Sequence, residues 1–331
     1  MGGRYQDINP GGSALAVAED RLRAGWQRLI HNALAESTHK TYNSGINKYL
    51  NFCATFGYIV CPAEELTLLN FICFLGESLA YSTTKTYLSA VRFLHLSHGF
   101  QNPFPKFPRT KLALKGLKRE AGPTRKRLPV TPQILLCIRQ RLSSNFEDSM
   151  FWAATLTAFC GFLRASEFTT SSTFDPSTHL TLQDLSFNSP LDPTTVIVGI
   201  KASKTDPFKE GCSIPLGATN DSLCPIQALL AYVWLRGGCE GPLFIHEDGS
   251  PLSRKSFQDR LKELLLEAGV SGDYTSHSLR IGAATTAAAL GIPDRMIRTM
   301  GRWASDAYMI YVRTPMSTWA RTSASLSRAS V

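Results

Sequence analysis

From about residue 37 the apolar positions recur at helical spacing. "STHKTYNSGINKYLNFCATFGY", beginning at Ser37, sets Tyr42, Ile46, Tyr49 and Leu50 along one predicted helix. "STTKTYLSAVRFLHLSHGF", beginning at Ser82, repeats that opening. The string S-T-x-K-T-Y occurs twice, 45 residues apart, and each copy runs on to a glycine beside an aromatic (Phe56-Gly57-Tyr58 and Gly99-Phe100). Between them, "PAEELTLLNFICFLGESLA" predicts a helix with Pro62 at its start. Two copies are too few for a solenoid. They predict two similar helices in a small bundle, each with a lysine near its N-terminus, Lys40 and Lys85. Serine and threonine capping with tyrosine packing would produce the same string without any function.

The pattern then breaks. Pro103, Pro105, Pro108, Pro123 and Pro129 punctuate a stretch with part of a helix around Lys111–Glu120. "TPQILLCIRQRL" and "DSMFWAATLTAFCGFLRASEF" read as helices. "LTLQDLSF" (Leu180–Phe187), "TTVIVGIKA" (Thr194–Ala202) and "GCSIPL" (Gly211–Leu216) are rich in Val, Ile and Thr, and predict a small antiparallel sheet. Helical periodicity resumes at Pro225 and runs through "PIQALLAYVWLRGG", "SRKSFQDRLKELLLEAG", "HSLRIGAATTAAALG", "PDRMIRTMGRW" and "DAYMIYVRT". Gly269 and Gly291 stand at predicted helix ends. The fold class expected is mainly α with a small antiparallel β-sheet. Residues 1–28 are expected as a flexible tail, 29–105 as a helical bundle, 106–129 as a basic linker and 130–331 as a second domain.

Composition narrows the function classes. With 44% hydrophobic and 18% charged residues, 331 residues suffice for two cores. The longest apolar run, Met150–Leu163, is interrupted by threonines and stops at Arg164, which predicts a buried helix rather than a membrane span. The N-terminal stretch lacks the apolar core of a signal peptide, so secretion is not expected. Eight cysteines include no C-x-x-C pair, against a zinc ribbon or a disulfide framework. The net charge of +9 is concentrated. Residues 106–141 hold eleven Lys or Arg against one acid, Glu120. A localised basic stretch suits a polyanion partner. It also suits a solvated linker, or a nuclear-import signal at "RKR" (Arg125–Arg127).

Four local features of the second domain carry candidate chemistry. "GFLRASEF" follows an apolar helix with Arg164 and, three residues on, Glu167. "KASKTD" puts Lys201 and Lys204 at a predicted hairpin. "SHSLRIG" gives His277 and Arg280 at i,i+3. "GRWASDAYMIY" gives Trp303, Tyr308 and Tyr311. Each has an ordinary structural reading: a helix-end cation, a solvated lysine, a surface polar pair, a packed aromatic.

In this order, however, Arg in L-R-x-x-E, a hairpin Lys, H-x-x-R, a Trp and a Tyr resemble the tyrosine recombinase (phage integrase) family. The resemblance covers about residues 30–315. "GRW-x-S-D-A-Y-x-x-Y-[IV]-R-T" further resembles the Crypton and DIRS-type recombinases of eukaryotic mobile elements, which implies a nuclear location; if the source is not eukaryotic, a cytoplasmic one is expected. The Trp303-to-Tyr311 spacing is eight, one shorter than is common in bacterial and phage members. The family implies an N-terminal core-binding (SAM-like) bundle joined to a catalytic domain, and double-stranded DNA as the partner. It also implies a tetramer on DNA and a C-terminal segment able to dock on a neighbouring protomer, here through Trp319 and Leu326.

The resemblance assigns catalysis to Arg164, Glu167, Lys204, His277, Arg280, Trp303 and Tyr311, with Lys201 as the alternative hairpin lysine. Arg164 and Arg280 would clamp the scissile phosphate, and Tyr311 would attack it to form a 3′-phosphotyrosine. His277 would be the base and Lys204 would protonate the leaving 5′-oxygen. Trp303 would pack on the site and donate its indole N–H, and Glu167 would orient its neighbours. Neither metal nor nucleotide is then required as a cofactor. DNA binding falls to Lys40, Lys85, Lys111, Lys115, Lys118, Arg119, Arg125, Lys126 and Arg127. Two other readings share part of the pattern: a catalytically silent DNA-binding protein, and a type IB topoisomerase.

Overall fold

In the computed structural model, residues 12–123, 126–170, 173–204, 206–311, 319–320 and 323–325 are described. The chain forms two compact units that divide between residues 124 and 125.

The first unit contains α1 (Gly12–His31), α2 (Glu36–Phe56), α3 (Glu65–Gly76), α4 (Tyr81–Ser97) and α5 (Pro108–Glu120). The two S-T-x-K-T-Y copies open α2 and α4, which pack on each other. Gly45 allows their close approach, since a Cβ there would stand 3.0–3.1 Å from Tyr87 and Ala90. Tyr49, Phe52, Leu68, Phe71, Leu75, Leu88 and Val91 form the core. Buried His95 accepts the Ala63 N–H at Nε2 (2.9 Å), while Nδ1 lies 2.8 Å from the Val91 carbonyl. This histidine is structural.

Two expectations need correcting here. Residues 12–28 are helical rather than a flexible tail, because "SALAVAEDRLRAGWQRL" is rich in strong helix formers. Its apolar side chains, Leu15, Leu22, Trp26 and Leu29 among them, are exposed. Residues 108–120 are likewise not linker. Ala113, Leu114 and Leu117 pack into the first unit's core, and Leu117 lies against Gly76. Arg109 pairs with Glu65 at 2.6 Å. The lysine count concealed an amphipathic helix.

The second unit contains α6 (Pro132–Arg139), α7 (Phe146–Cys160), α8 (Ala165–Phe168), a three-stranded sheet, α9 (Pro225–Arg236), α10 (Arg254–Glu267), α11 (Ser276–Ala289) and α12 (Asp294–Met300). Helix α7 starts where the Asn145 side chain accepts the Asp148 N–H at 2.8 Å. It is apolar on every side and buried from Met150 to Ala158. Strands β1 (Leu185–Phe187), β2 (Thr195–Ile200) and β3 (Cys212–Gly217) run antiparallel in that order, pairing Val198 with Leu185 and with Ile214. Val196, Val198 and Ile200 alternate into the core. Only the second half of the first expected strand is extended. Leu182–Asp184 form a 3-10 turn because the Asp184 carboxylate accepts both the Thr181 N–H and hydroxyl at 2.7 Å.

The run of small residues after Arg280 also finds its reason. A Cβ on Gly282 would stand 1.8 Å from the Val130 carbonyl oxygen. The 128–130 segment lies on α11, with Leu128 N–H on the Asp273 carbonyl and Val130 N–H on the Ser278 carbonyl, both at 3.0 Å. Among the described residues no helix is long and apolar enough to cross a membrane.

Candidate active site

The ends of two helices build the site. Helix α7 ends at Cys160 with Gly161 as its C-cap, and Phe162 then takes a left-handed conformation (φ 51°) unusual for a side chain of its size. That turn exposes two carbonyl oxygens of the kind a helix C-terminus leaves unpaired. Phe162 accepts Nη1 of Arg280, and Gly161 accepts Nη1 of Arg302 at 3.3 Å. The turn after α12 supplies the Gly301 carbonyl, which accepts Nη2 of Arg280. Arg280 is only 1% exposed, and its guanidinium carbon lies 4.3 Å from the Trp303 ring centre. A Cβ on Gly301 would collide with that indole at 1.6 Å. Burial, with Arg164 and Arg302 nearby, brings the Arg280 pKa down to about 9, so it stays charged at neutral pH.

Arg164 is the N-cap of α8. Its backbone N–H donates to Oε2 of Glu167 at 2.8 Å, and its Nη1 to Oε1 at 2.9 Å. The same Nη1 donates to the Ser203 hydroxyl at 3.0 Å, joining the β2–β3 connection to the site. The Glu167 carboxylate is fully buried and ion-paired.

His277 stands in the first turn of α11, with Nε2 3.0 Å from the Tyr311 hydroxyl. Burial first, then Arg280, Arg127, Arg164 and Arg254, lower its pKa to about 4. The imidazole is therefore neutral at pH 7 and able to accept a proton. Tyr311 is held at its other end too. Its carbonyl accepts the Thr285 hydroxyl at 2.8 Å, and its N–H donates to the Tyr308 carbonyl at 2.8 Å. Trp303 covers it at 6.0 Å between ring centres. Tyr308 has a different environment. It is 4% exposed and packs with Phe162, Ala283, Ala284, Ala287 and Ile297. These tyrosines belong to a 3-10 helix, Asp306–Ile310, and the turn after it, rather than to the α-helix expected at "DAYMIYVRT".

The hairpin lysines differ as well. Lys201 is bound at the sheet edge, with Nζ 2.7 Å from Asp184 Oδ2 and 2.9 Å from the Pro176 carbonyl. Lys204 is exposed on the β2–β3 connection, one residue past Ser203.

Residues 180–316 match the phage integrase family, a span that takes in Lys204, His277, Arg280, Trp303 and Tyr311. The matched span lies wholly within the second unit. Tyrosine recombinases, the enzymes of this family, cleave and rejoin DNA. The chain is also similar to the integrase/recombinase xerD homolog of Selenomonas ruminantium, 25% identical over 87% of this chain and 84% of that protein. In fold it resembles the Tn1549 transposon integrase in complex with transposon right end DNA, with a TM-score of 0.61 at 14% identity over 89% of this chain and 95% of that one. It likewise resembles a lambda integrase tetramer bound to a Holliday junction, with a TM-score of 0.58 at 15% identity over 92% and 84%.

The second unit brings Arg164, Glu167, His277, Arg280, Trp303 and Tyr311 into one connected set and leaves Lys204 on an adjoining loop. Arg302 and Thr285 were not anticipated. Arg302 stood between Gly301 and Trp303 in a stretch already singled out, but nothing in that string says that it faces Glu167. Of the basic residues assigned to DNA, Lys126 and Arg127 are exposed in the second unit, and Arg127 lies close enough to His277 to oppose its protonation. In the first unit Lys40, Lys85, Lys111, Lys115, Lys118 and Arg119 are exposed, and Lys40 lies 4.0 Å from Glu36. Lys85 and Lys111 border a common hollow with Arg92, a third cation that the motifs did not single out. Arg125 and Leu326 lie outside the described residues, and Trp319 is 66% exposed.

Proposed function

We propose that the protein is a site-specific DNA recombinase that breaks and rejoins duplex DNA through a 3′-phosphotyrosine on Tyr311, without metal or nucleotide. The observation that carries this is the 3.0 Å contact between the Tyr311 hydroxyl and Nε2 of a neutral His277, beside two buried or half-buried arginines. His277 takes the phenolic proton as Tyr311 attacks phosphorus. Arg164 and Arg280 oppose the charge that builds on the non-bridging oxygens. Loss of either donor is expected to cost on the order of 10²–10³ in rate. Lys204 protonates the departing 5′-oxygen, a task for which tethered Lys201 is poorly free. Trp303 walls the site. The phosphotyrosine keeps the energy of the phosphodiester, so rejoining is the reverse attack by a 5′-hydroxyl.

By analogy with the two integrases compared above, we infer that the protein works on double-stranded DNA as a tetramer. The "GRWASDAYMIYVRT" string supports closeness to Crypton and DIRS-type recombinases, and "RKR" supports import into a nucleus.

Covalent capture tests the reading. A library of nicked duplexes, each losing a short fragment on cleavage, is incubated with the protein, and adducts are resolved on a denaturing gel. An adduct is expected that disappears in Tyr311→Phe and persists in folded Tyr308→Phe. The reverse pattern moves the nucleophile to Tyr308. Absence of any adduct from duplexes that bind favours the silent DNA binder.

A further inference from the structure

Arg302 is absent from the catalytic set assigned above, yet it shares the buried carboxylate that holds Arg164. Its Nη2 lies 2.5 Å from Oε2 of Glu167, and its Nη1 reaches the Gly161 carbonyl. Glu167 therefore receives the Arg164 backbone N–H, the Arg164 guanidinium and the Arg302 guanidinium on two oxygens. The side chains of Arg164 and Arg302 are 18% and 17% exposed, and that of Glu167 is fully buried.

Charge balance gives this arrangement a consequence. A buried carboxylate paired with Arg164 alone would cancel most of that arginine's attraction for a phosphate and draw its guanidinium inward. A second guanidinium on the same carboxylate relieves this. Arg164, Arg280 and Arg302 against Glu167 leave two positive charges in excess at the site. The backbone is adapted to the task. Arg302 adopts φ 51°, a left-handed conformation rare outside glycine. In that turn its N–H reaches the Thr299 carbonyl while the Trp303 N–H reaches that of Arg298. Successive residues are thereby sent to different partners, Arg302 to Glu167 and Trp303 onto Arg280.

We propose that Arg302 is a positioning residue: by sharing the Glu167 carboxylate it keeps the Arg164 guanidinium directed at, and electrostatically available to, the scissile phosphate. This rests on the recombinase reading above.

The test is single-turnover cleavage of a duplex taken from the covalent-capture library, at saturating DNA, with melting temperatures measured in parallel. Arg302→Gln is expected to slow cleavage about tenfold or more while the half-saturating DNA concentration moves less than about twofold. Arg302→Lys, which keeps the charge, is expected to restore most of the rate. Because Arg302 acts through Glu167, adding Arg302→Gln to Glu167→Gln should cost less than about threefold further. If Arg302→Gln alone does not fold, that comparison within the neutral Glu167→Gln background decides.

An equal cost of Arg302→Gln with and without the Glu167 carboxylate would overturn the proposal, since Arg302 would then touch DNA directly. So would a wild-type rate, or a loss confined to DNA affinity. If the unmutated protein forms no adduct with any duplex, the recombinase reading itself fails, and this inference with it.

Discussion

His277 gives the sharpest test of the site, because its environment should show in the pH dependence of cleavage. Burial and four arginines lower its pKa to about 4 from the usual 6.5. To act as the proposed base it must be unprotonated. At pH 5.5, a histidine titrating near 6.5 would be about 10% neutral, and one titrating near 4 about 97% neutral. Between pH 7.5 and pH 5.5, kcat/KM for cleavage should therefore change by only a few per cent from this group, where an ordinary histidine would lose about tenfold. The measurement is kcat/KM for adduct formation across pH 4–8 in buffers of constant ionic strength. An acid limb with a midpoint near 6.5 would refute the reasoning, showing that burial and the arginines do not keep the proton off His277 or that another group limits the rate. A phosphate bound beside the imidazole favours its cation, so the limb in kcat should lie above that in kcat/KM. Replacing exposed Arg254 with methionine should raise both.

The same shift acts on stability, and its sign follows from which state binds the proton first. As pH falls the unfolded chain protonates near 6.5, while folded His277 stays neutral to about 4. The stabilisation is thus fully present above pH 6.5 and is lost as pH falls through that window. Its ceiling is about 3 kcal/mol, and less in practice because the imidazole is only partly buried.

Four further outcomes are expected. Gly282→Ala should destabilise the second unit by about 1–3 kcal/mol or more, seen as a lower melting temperature, because its Cβ would meet the Val130 backbone rather than a movable side chain. Lys204→Met should slow cleavage and regain rate on a substrate with sulfur in place of the leaving 5′-oxygen, which departs without a proton. Lys201→Met should instead lower the melting temperature by breaking its Asp184 pair, with no such sulfur rescue. Replacing Lys111, Lys115 and Lys118 with alanine should reduce the slope of log affinity against log salt by up to about 3 in DNA titrations, if each contacts one phosphate.

How much of this was legible in the sequence depended on the distance over which each residue acts. Helices α2, α4 and α11 could be read because their periodicity is internal to the segment, and α7 because its apolar run is. Arg164 with Glu167, and His277 with Arg280, could be read because each pair lies within one helical turn. The misread segments are those where one property concealed another. In α5, a high lysine count hid three apolar residues that dock against α3 and α4. In residues 12–28, glycine and polar residues suggested a tail although the run favours helix. The unread residues act over long separations. Lys201 meets Asp184, seventeen positions earlier and on a different segment. Arg302 meets Glu167 across 135 positions, and Thr285 meets the Tyr311 carbonyl across 26.

The distinction also bears on why the two tyrosines have different environments. Tyr308 and Tyr311 are alike in a string, both aromatic and three apart. What separates them is the turn after α12. Gly301 lets the indole of Trp303 lie close against the backbone, and Arg302 takes the left-handed conformation that sends the chain onward. The following 3-10 helix then buries Tyr308 against α11 and α12, while Thr285 fixes the Tyr311 carbonyl. A 3-10 helix advances about 120° per residue, so residues three apart project on the same side, whereas an α-helix would separate them by about 60°. Tyr311 does not follow Tyr308 into the core because it stands past the end of that helix, in the turn. The shortened Trp-to-Tyr spacing is therefore accommodated by ending the helix one residue before the tyrosine that meets His277, and a change that extended regular helix through Tyr311 would be expected to separate the two side chains.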